Sequence, residues 1–229
     1  MPWKLKLCSS ANREIILLNH SYHYHGNTIE FVDHARNLGL AFKCDLSWEH
    51  QIKLQRRKIY GTLNRLNLCT KNLDIKTKTQ LFKTFILPHF VYCDFIYLNA
   101  TVGSVDRLRI ALNACVRYVF NLSRYSRVSR YQKELIGCNF SDFYKYRSCM
   151  KLHRILTVKK PQYLHSILTP FRGTRNRNFL LPHHTSEYYS RSFFARGVAH
   201  WNNISPATKL ITSKSVFKRS LLAEVNGLH

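Results

Sequence analysis

The sequence predicts an α+β fold that is mostly α, with a short β remnant ahead of a helical bundle and a small basic module at the C-terminal end. Three observations carry that prediction. Up to about residue 46, apolar residues come in short runs broken by turn signals, as strands require. From Ser47 onward they recur every three to four residues, as buried helix faces require. Residues 157–186 then hold three of the chain's six prolines, Pro161, Pro170 and Pro182, around the tract Arg172-Gly173-Thr174-Arg175-Asn176-Arg177. The expected units are 1–46 as strands, 47–156 as a helical domain, 157–186 as a basic linker and 187–229 as the C-terminal module.

In the first unit, Glu14 to Leu18 is a short apolar run, Gly26-Asn27 marks a turn and Thr28 to Val32 begins another strand. Asn37 to Phe42 reads as a third strand with an embedded glycine. So few strands bury only one face and must lean on the helices behind them or on missing upstream sequence. Asp45 and Ser47 are candidate N-caps for the first helix, and Glu49 suits its first turn, where the helix dipole favours a negative charge. Ile52, Ile59, Leu63 and Leu66 fall on one face of that helix, while Lys53, Arg56, Arg57 and Lys58 cover much of the remainder. A second helix is expected from about Asp74 to Phe85, with a kink or restart at Pro88. Ser104 can cap a third, with Leu108, Ala111, Leu112, Cys115 and Val119 inward. Ser141 or Asp142 can cap a fourth, using Phe143, Tyr146, Met150 and Leu156. The run Phe85 to Leu98 reads as a buried helix too short to span a bilayer. Two helices around Trp201 and Phe217 complete the C-terminal module.

Composition narrows the function. Apolar residues at 45% and aromatics at 13% describe a globular chain, while a formal net charge of +24 favours polyanion partners, nucleic acid first and anionic membrane second. Past Asp142 only Glu187 and Glu224 are acidic, so the C-terminal third is the most positive part. Seven cysteines without C-x-x-C spacing indicate a reducing compartment and no disulfide framework, hence an intracellular protein, nuclear or cytoplasmic. Met1 to Lys6 leads into no apolar signal-peptide core, and no membrane partner is expected.

Four segments, in order, carry a family resemblance. They are Leu38-Gly39 ahead of Asp45-Leu46-Ser47-Trp48, then Leu87-Pro88-His89-Phe90-Val91-Tyr92, then Pro161-Gln162-Tyr163-Leu164, and finally Phe194 with Ala199-His200-Trp201-Asn202-Asn203-Ile204 and Phe217-Lys218. Together they resemble the end of the palm, the thumb and the C-terminal tail of a LINE-type (non-long-terminal-repeat) retrotransposon reverse transcriptase of the Jockey-like kind. The pattern departs from the family at His50, one place early, and at Ser205, where a proline usually stands. The resemblance implies a fragment of an RNA-directed DNA polymerase that binds an RNA or DNA template–primer. It implies that the metal-binding aspartates lie upstream, so that Mg²⁺ is expected only for a full-length polymerase and a missing N-terminal polymerase portion is a possible partner. It also places Leu38-Gly39 at the primer grip, where a glycine allows close approach of the backbone to the primer end.

The residues themselves show no Ala-Asp-Asp box, and two-metal nucleotidyl transfer needs clustered carboxylates. Glu30 and Asp33 would point to opposite faces of a strand. Asp45 and Glu49 are better read as helix-start acids, so no catalytic or metal-binding residue is assigned and no cofactor is expected in this chain. His20, His23, His25, His183 and His184 lack the cysteine spacing of a structural zinc site and read as surface histidines. The nucleic-acid-binding candidates are Leu38 and Gly39, then Lys53, Arg56, Arg57 and Lys58, and then Arg172, Arg175 and Arg177. Tyr188, Tyr189, Phe193 and Phe194 are available to stack on unpaired bases or to fill a small core, and Trp201 reads as core. Two other readings stay open: a piece of a longer, active reverse transcriptase, and an unrelated basic RNA-binding structural protein.

Overall fold

A computed structural model describes residues 6–7, 22–24, 27–70, 72–97, 100–168, 170, 177–181, 183 and 186–227. It is α+β and mostly α. Strand β1 (Lys6–Leu7) pairs in parallel with β3 (Asn27–Phe31), which pairs antiparallel with β2 (Tyr22–Tyr24). A separate antiparallel pair joins β4 (His34–Asn37) to β5 (Leu40–Lys43). The Glu14–Leu18 run lies outside the described residues.

The β4–β5 pair corrects the single strand expected over Asn37 to Phe42. Leu38 and Gly39 both take positive φ, 46° and 82°, and Asn37 pairs with Leu40. That is the pattern of a type I′ turn, whose twist matches the strands it joins, so the chain reverses where alternation alone suggested it ran straight.

Helix α1 (Glu49–Cys69) follows at once. Neither Asp45 nor Ser47 caps it. Trp48 is the N-cap and offers no side-chain acceptor, while Asp45 Oδ1 accepts from the Ser47 N–H at 2.8 Å and Oδ2 from Lys43 Nζ at 2.6 Å. Asp45 therefore closes a local turn ahead of the helix. Helix α2 (Ile75–Leu81) is capped by Asp74, passes through a π-helical segment at Phe82–Ile86, and restarts as α3 (Leu87–Val91) with Pro88 in its first turn. The apolar run beyond is not one buried helix. Cys93 takes φ 53°, α4 (Asp94–Tyr97) starts anew, and along the Phe85 to Leu98 run Ile86, Phe90 and Asp94 are buried while Phe85, Tyr92 and Ile96 are exposed.

Helix α5 (Val102–Phe120) begins at an N-cap Thr101, with Ser104 buried inside the first turn instead of capping it. Helix α6 (Ser129–Ile136) is an element not among those expected, although Val128, Tyr131 and Leu135 recur at helical spacing and pack on the first core. Helix α7 (Phe140–Val158) has Asn139 at its N-cap, one turn earlier than Ser141 or Asp142 would place it. Beyond it lie α8 (Gln162–Ile167), an isolated bridge between Pro170 and Phe179, and then α9 (Glu187–Ser190), α10 (Phe193–Asn202), α11 (Pro206–Leu210) and α12 (Lys214–Val225).

Two hydrophobic cores result. The first joins Ile52, Ile59, Leu63, Phe82, Ile86, Leu108, Leu112 and Val116 from α1, the π segment and α5, with Leu40 from the hairpin and Phe140 from the start of α7. The second joins Cys149, Leu152 and Ile155 from the end of α7 to Leu168, Phe179, Val198, Trp201, Phe217 and Leu221. One 19-residue helix, α7, thus serves both. Among the described residues, no helix is long and apolar enough to cross a membrane.

Candidate nucleic-acid interface

The α1 cations do not share one face. At about 100° per residue, Lys53 and Arg57 stand one turn apart on the outward line, and both are exposed. Arg56 turns toward the core border, where it is half-buried with its guanidinium 5.9 Å from the Tyr60 ring centroid and its Nε buried without an acceptor. Lys58 lies about 100° round from Arg57, on a flank it shares with Arg65 seven residues on. Its charge adds to burial in holding the His89 imidazole below its ordinary pKa, which shows that this flank faces α3. Arg65 was not singled out by the sequence, although the spacing from Lys58 could have found it.

What makes Lys53 and Arg57 available is how the nearby acids are used. Glu49 stands one turn before Lys53, yet its Oε1 accepts from Arg107 Nη1 of α5 at 2.8 Å. Asp45 is engaged by Lys43, whose hydrogen bond holds its carboxyl down to about 2. Among the described residues, no ion pair involves Lys53, Arg57 or Lys58. Exposed cations without intramolecular partners keep their full field for an external anion.

The Leu38–Gly39 turn is held rigidly beside this helix. Gln51, buried on α1, accepts the Ala41 N–H at 2.9 Å through its side-chain oxygen. From the other side the Tyr92 hydroxyl donates to the Leu38 carbonyl, and a Cβ on Gly39 would sit 3.5 Å from that hydroxyl oxygen. Two segments some fifty residues apart in the sequence therefore meet at one point. Leu38 itself is 83% exposed at the tip of the hairpin, an apolar side chain in water at a backbone angle that favours glycine. Neither Gln51 nor Tyr92 was picked out as a positioning residue. Gln51 had no signal, since an amide within an apolar stripe reads as a defect in the pattern.

The third set of candidates is divided. Arg172 and Arg175 lie outside the described residues. Arg177 is exposed at φ 50°, and its carbonyl accepts from Trp201 Nε1 at 3.1 Å, so it belongs with the second core and not with α1. It lines a cavity of about 700 Å³ together with His153, His165, Phe179, Trp201 and Lys209. Trp201 is 2% exposed and fills the second core, as do the partly buried Phe193 and Phe194. Tyr189 is 40% exposed and remains accessible.

Several carboxylates in the described residues are committed elsewhere. Asp94 is fully buried with both oxygens on Arg147, at 2.7 and 3.2 Å, and burial raises its pKa against that pairing. Asp33 is exposed near the end of β3. Among the described residues, no three His, Cys, Asp or Glu side chains gather closely enough to hold a metal ion. His20, His25 and His184 lie outside them. Burial pushes the thiols of Cys115, Cys138 and Cys149 up to about 12, so these cysteines are neutral packing groups. Comparison with protein families, with curated proteins and with solved structures finds no match.

Proposed function

We propose that the chain holds a nucleic-acid template–primer without copying it, in the manner of the palm end, thumb and C-terminal tail of a LINE-type reverse transcriptase. The observation that carries this reading is the unit of hairpin and helix: an exposed turn at Leu38–Gly39 fixed to α1 through Gln51, on a helix whose outward line carries the exposed cations Lys53 and Arg57, neither in an ion pair among the described residues. A net charge of +24 supplies the wider field that draws a polyanion to it. Phosphate contacts of this kind set position and affinity and read no sequence. RNA and DNA partners are both compatible with it, and a polymerase portion carrying the metal-binding aspartates would complete an active enzyme.

Filter binding of a primer–template duplex across salt concentrations tests the proposal. With roughly five phosphates neutralised, log affinity should fall with log salt at a slope near −4 to −5. Replacing Lys53 and Arg57 by Ala together should make that slope shallower by up to about 2. A flat salt response, or a double variant that binds as well as the parent, would overturn it. With Mg²⁺, nucleotides and primer–template, the isolated chain should extend no primer.

A further inference from the structure

A second concentration of positive charge in the described residues lies away from α1, along α7. Two hollows meet along α7, one of about 730 Å³ and one of about 430 Å³, and both are lined by Lys151, Arg154 and Val158. These three recur at helical spacing, so they form one stripe that runs about 10 Å along the helix. The first hollow is bounded by Lys159, Lys160 and the start of α8, the second by Lys214 and Lys218 of α12.

Besides the Asp94-bound Arg147, six cations border the groove formed by these two adjoining hollows, and among the described residues no aspartate or glutamate lines either. The nearby acids are taken: Asp94 is sealed under Arg147, and the Glu224 carboxylate accepts from the Ser205 N–H and from the hydroxyls of Ser205 and Thr208. At the mouth of the second hollow, α12 begins at Ser213 without a side-chain cap, so its first N–H groups and dipole add to the positive potential there. Phe95 and Tyr146 give the second hollow an aromatic floor, with Lys151 Nζ 6.0 Å from the Phe95 ring centroid.

We infer that this groove binds a single strand of nucleic acid by its sugar–phosphate backbone, as a site separate from the α1 face. Hollows of this size match ligand pockets and admit one backbone, whereas a duplex is too wide to enter either of them. None of the six groove residues belongs to the α1 site, so the two sites fail or succeed independently.

The test measures binding of a labelled oligothymidylate and of a primer–template duplex to the full chain. One variant carries Lys151→Gln, Arg154→Gln, Lys159→Gln and Lys160→Gln; a second, on a different helix, carries Lys214→Gln and Lys218→Gln; a third carries Lys53→Ala and Arg57→Ala. The first variant should weaken single-strand binding at least tenfold and flatten its salt slope by about 2 to 3, with duplex binding within a factor of two. The second should move single-strand binding in the same direction by a smaller factor, and it answers the question if the fourfold variant proves unfolded by circular dichroism. The third should weaken duplex binding and spare the single strand, and a neutral result there touches only the α1 reading. Unchanged single-strand affinity in the groove variants, or equal loss of both ligands, overturns the inference. So does groove-dependent binding to phosphatidylserine vesicles with no oligonucleotide binding.

Discussion

The first core is mainly aliphatic, with Ile52, Ile59, Ile86, Leu108, Leu112 and Val116 at or near zero exposure around the buried rings of Phe82 and Phe90, whereas the second is built around stacked rings. There His153 stacks on Phe217 at 4.0 Å between centroids, Phe217 lies 5.9 Å from Trp201, and Phe179 lies 6.3 Å from Trp201. Their polar groups differ as well. Gln51 and Gln132 in the first core each satisfy one backbone N–H, of Ala41 and Phe140, and so pin neighbouring elements with neutral amides. Its buried ammonium, Lys78, donates to Asn121 and lies over the Tyr118 ring. The second core draws in a carboxylate, Glu224, and the ammonium of Lys209, which donates to Asn178 Oδ1 at 2.8 Å and the Asn202 carbonyl at 3.0 Å. Burial lowers the Lys209 pKa. Many interchangeable methyl groups hold the first half, and a few large or charged groups hold the second.

That contrast can be broken at its largest element. Trp201→Ala should cost about 3–5 kcal/mol by urea unfolding, because it empties the centre of the second core and leaves the Arg177 carbonyl without its donor. Next, Glu224→Gln should cost about 1.5–3 kcal/mol through the loss of charge-assisted bonds to Ser205 and Thr208. If either change proved neutral, the second core would rest on its helices alone and the comparison would fail. In the aliphatic core, Ile59→Val should cost only about 0.5–1.5 kcal/mol, since neighbouring side chains share the burial.

The seam between the cores gives a pH test. His200 of α10 packs edge-on against Tyr144 of α7, 5.8 Å between centroids, and Tyr144 packs on the first core. Burial, then the charges of Arg196 and Lys145, hold its pKa down to about 4 against an ordinary 6.5. Between those values the unfolded chain binds a proton that the folded chain refuses. Stability from this group is therefore present above about pH 6.5 and is lost as the pH falls toward 4. His200→Gln should flatten the acid limb of a melting-temperature profile; an unchanged profile would remove His200 from the seam's account. The smallest expected effect is on the surface, where Lys53→Ala with Arg57→Ala should change stability by no more than about 0.5 kcal/mol while altering nucleic-acid binding.

The sequence alone determined the change from strands to helices and the inward faces of the longest helices, because apolar periodicity is a local property. The change of period near Ser47, the inward stripe Ile52/Ile59/Leu63 and the buried series Leu108, Ala111, Leu112, Cys115 and Val119 could all be read from spacing. So could the net charge, which is a sum over residues. Tertiary structure decided what spacing cannot carry. It folded the Leu38–Gly39 segment into a hairpin, since positive φ at two successive residues is held by contacts with Gln51 and Tyr92 from elsewhere in the chain. It moved Asp45 from helix cap to turn former and made Asp94, inside an apolar run, the buried partner of Arg147 fifty-three residues away. It also split the four α1 cations between an outward line, a core border and a flank, and brought Lys151 and Arg154 together with Lys214 and Lys218 around one hollow. Charge is counted along the chain, but a phosphate is bound by charges adjacent in space, and only packing makes distant residues neighbours.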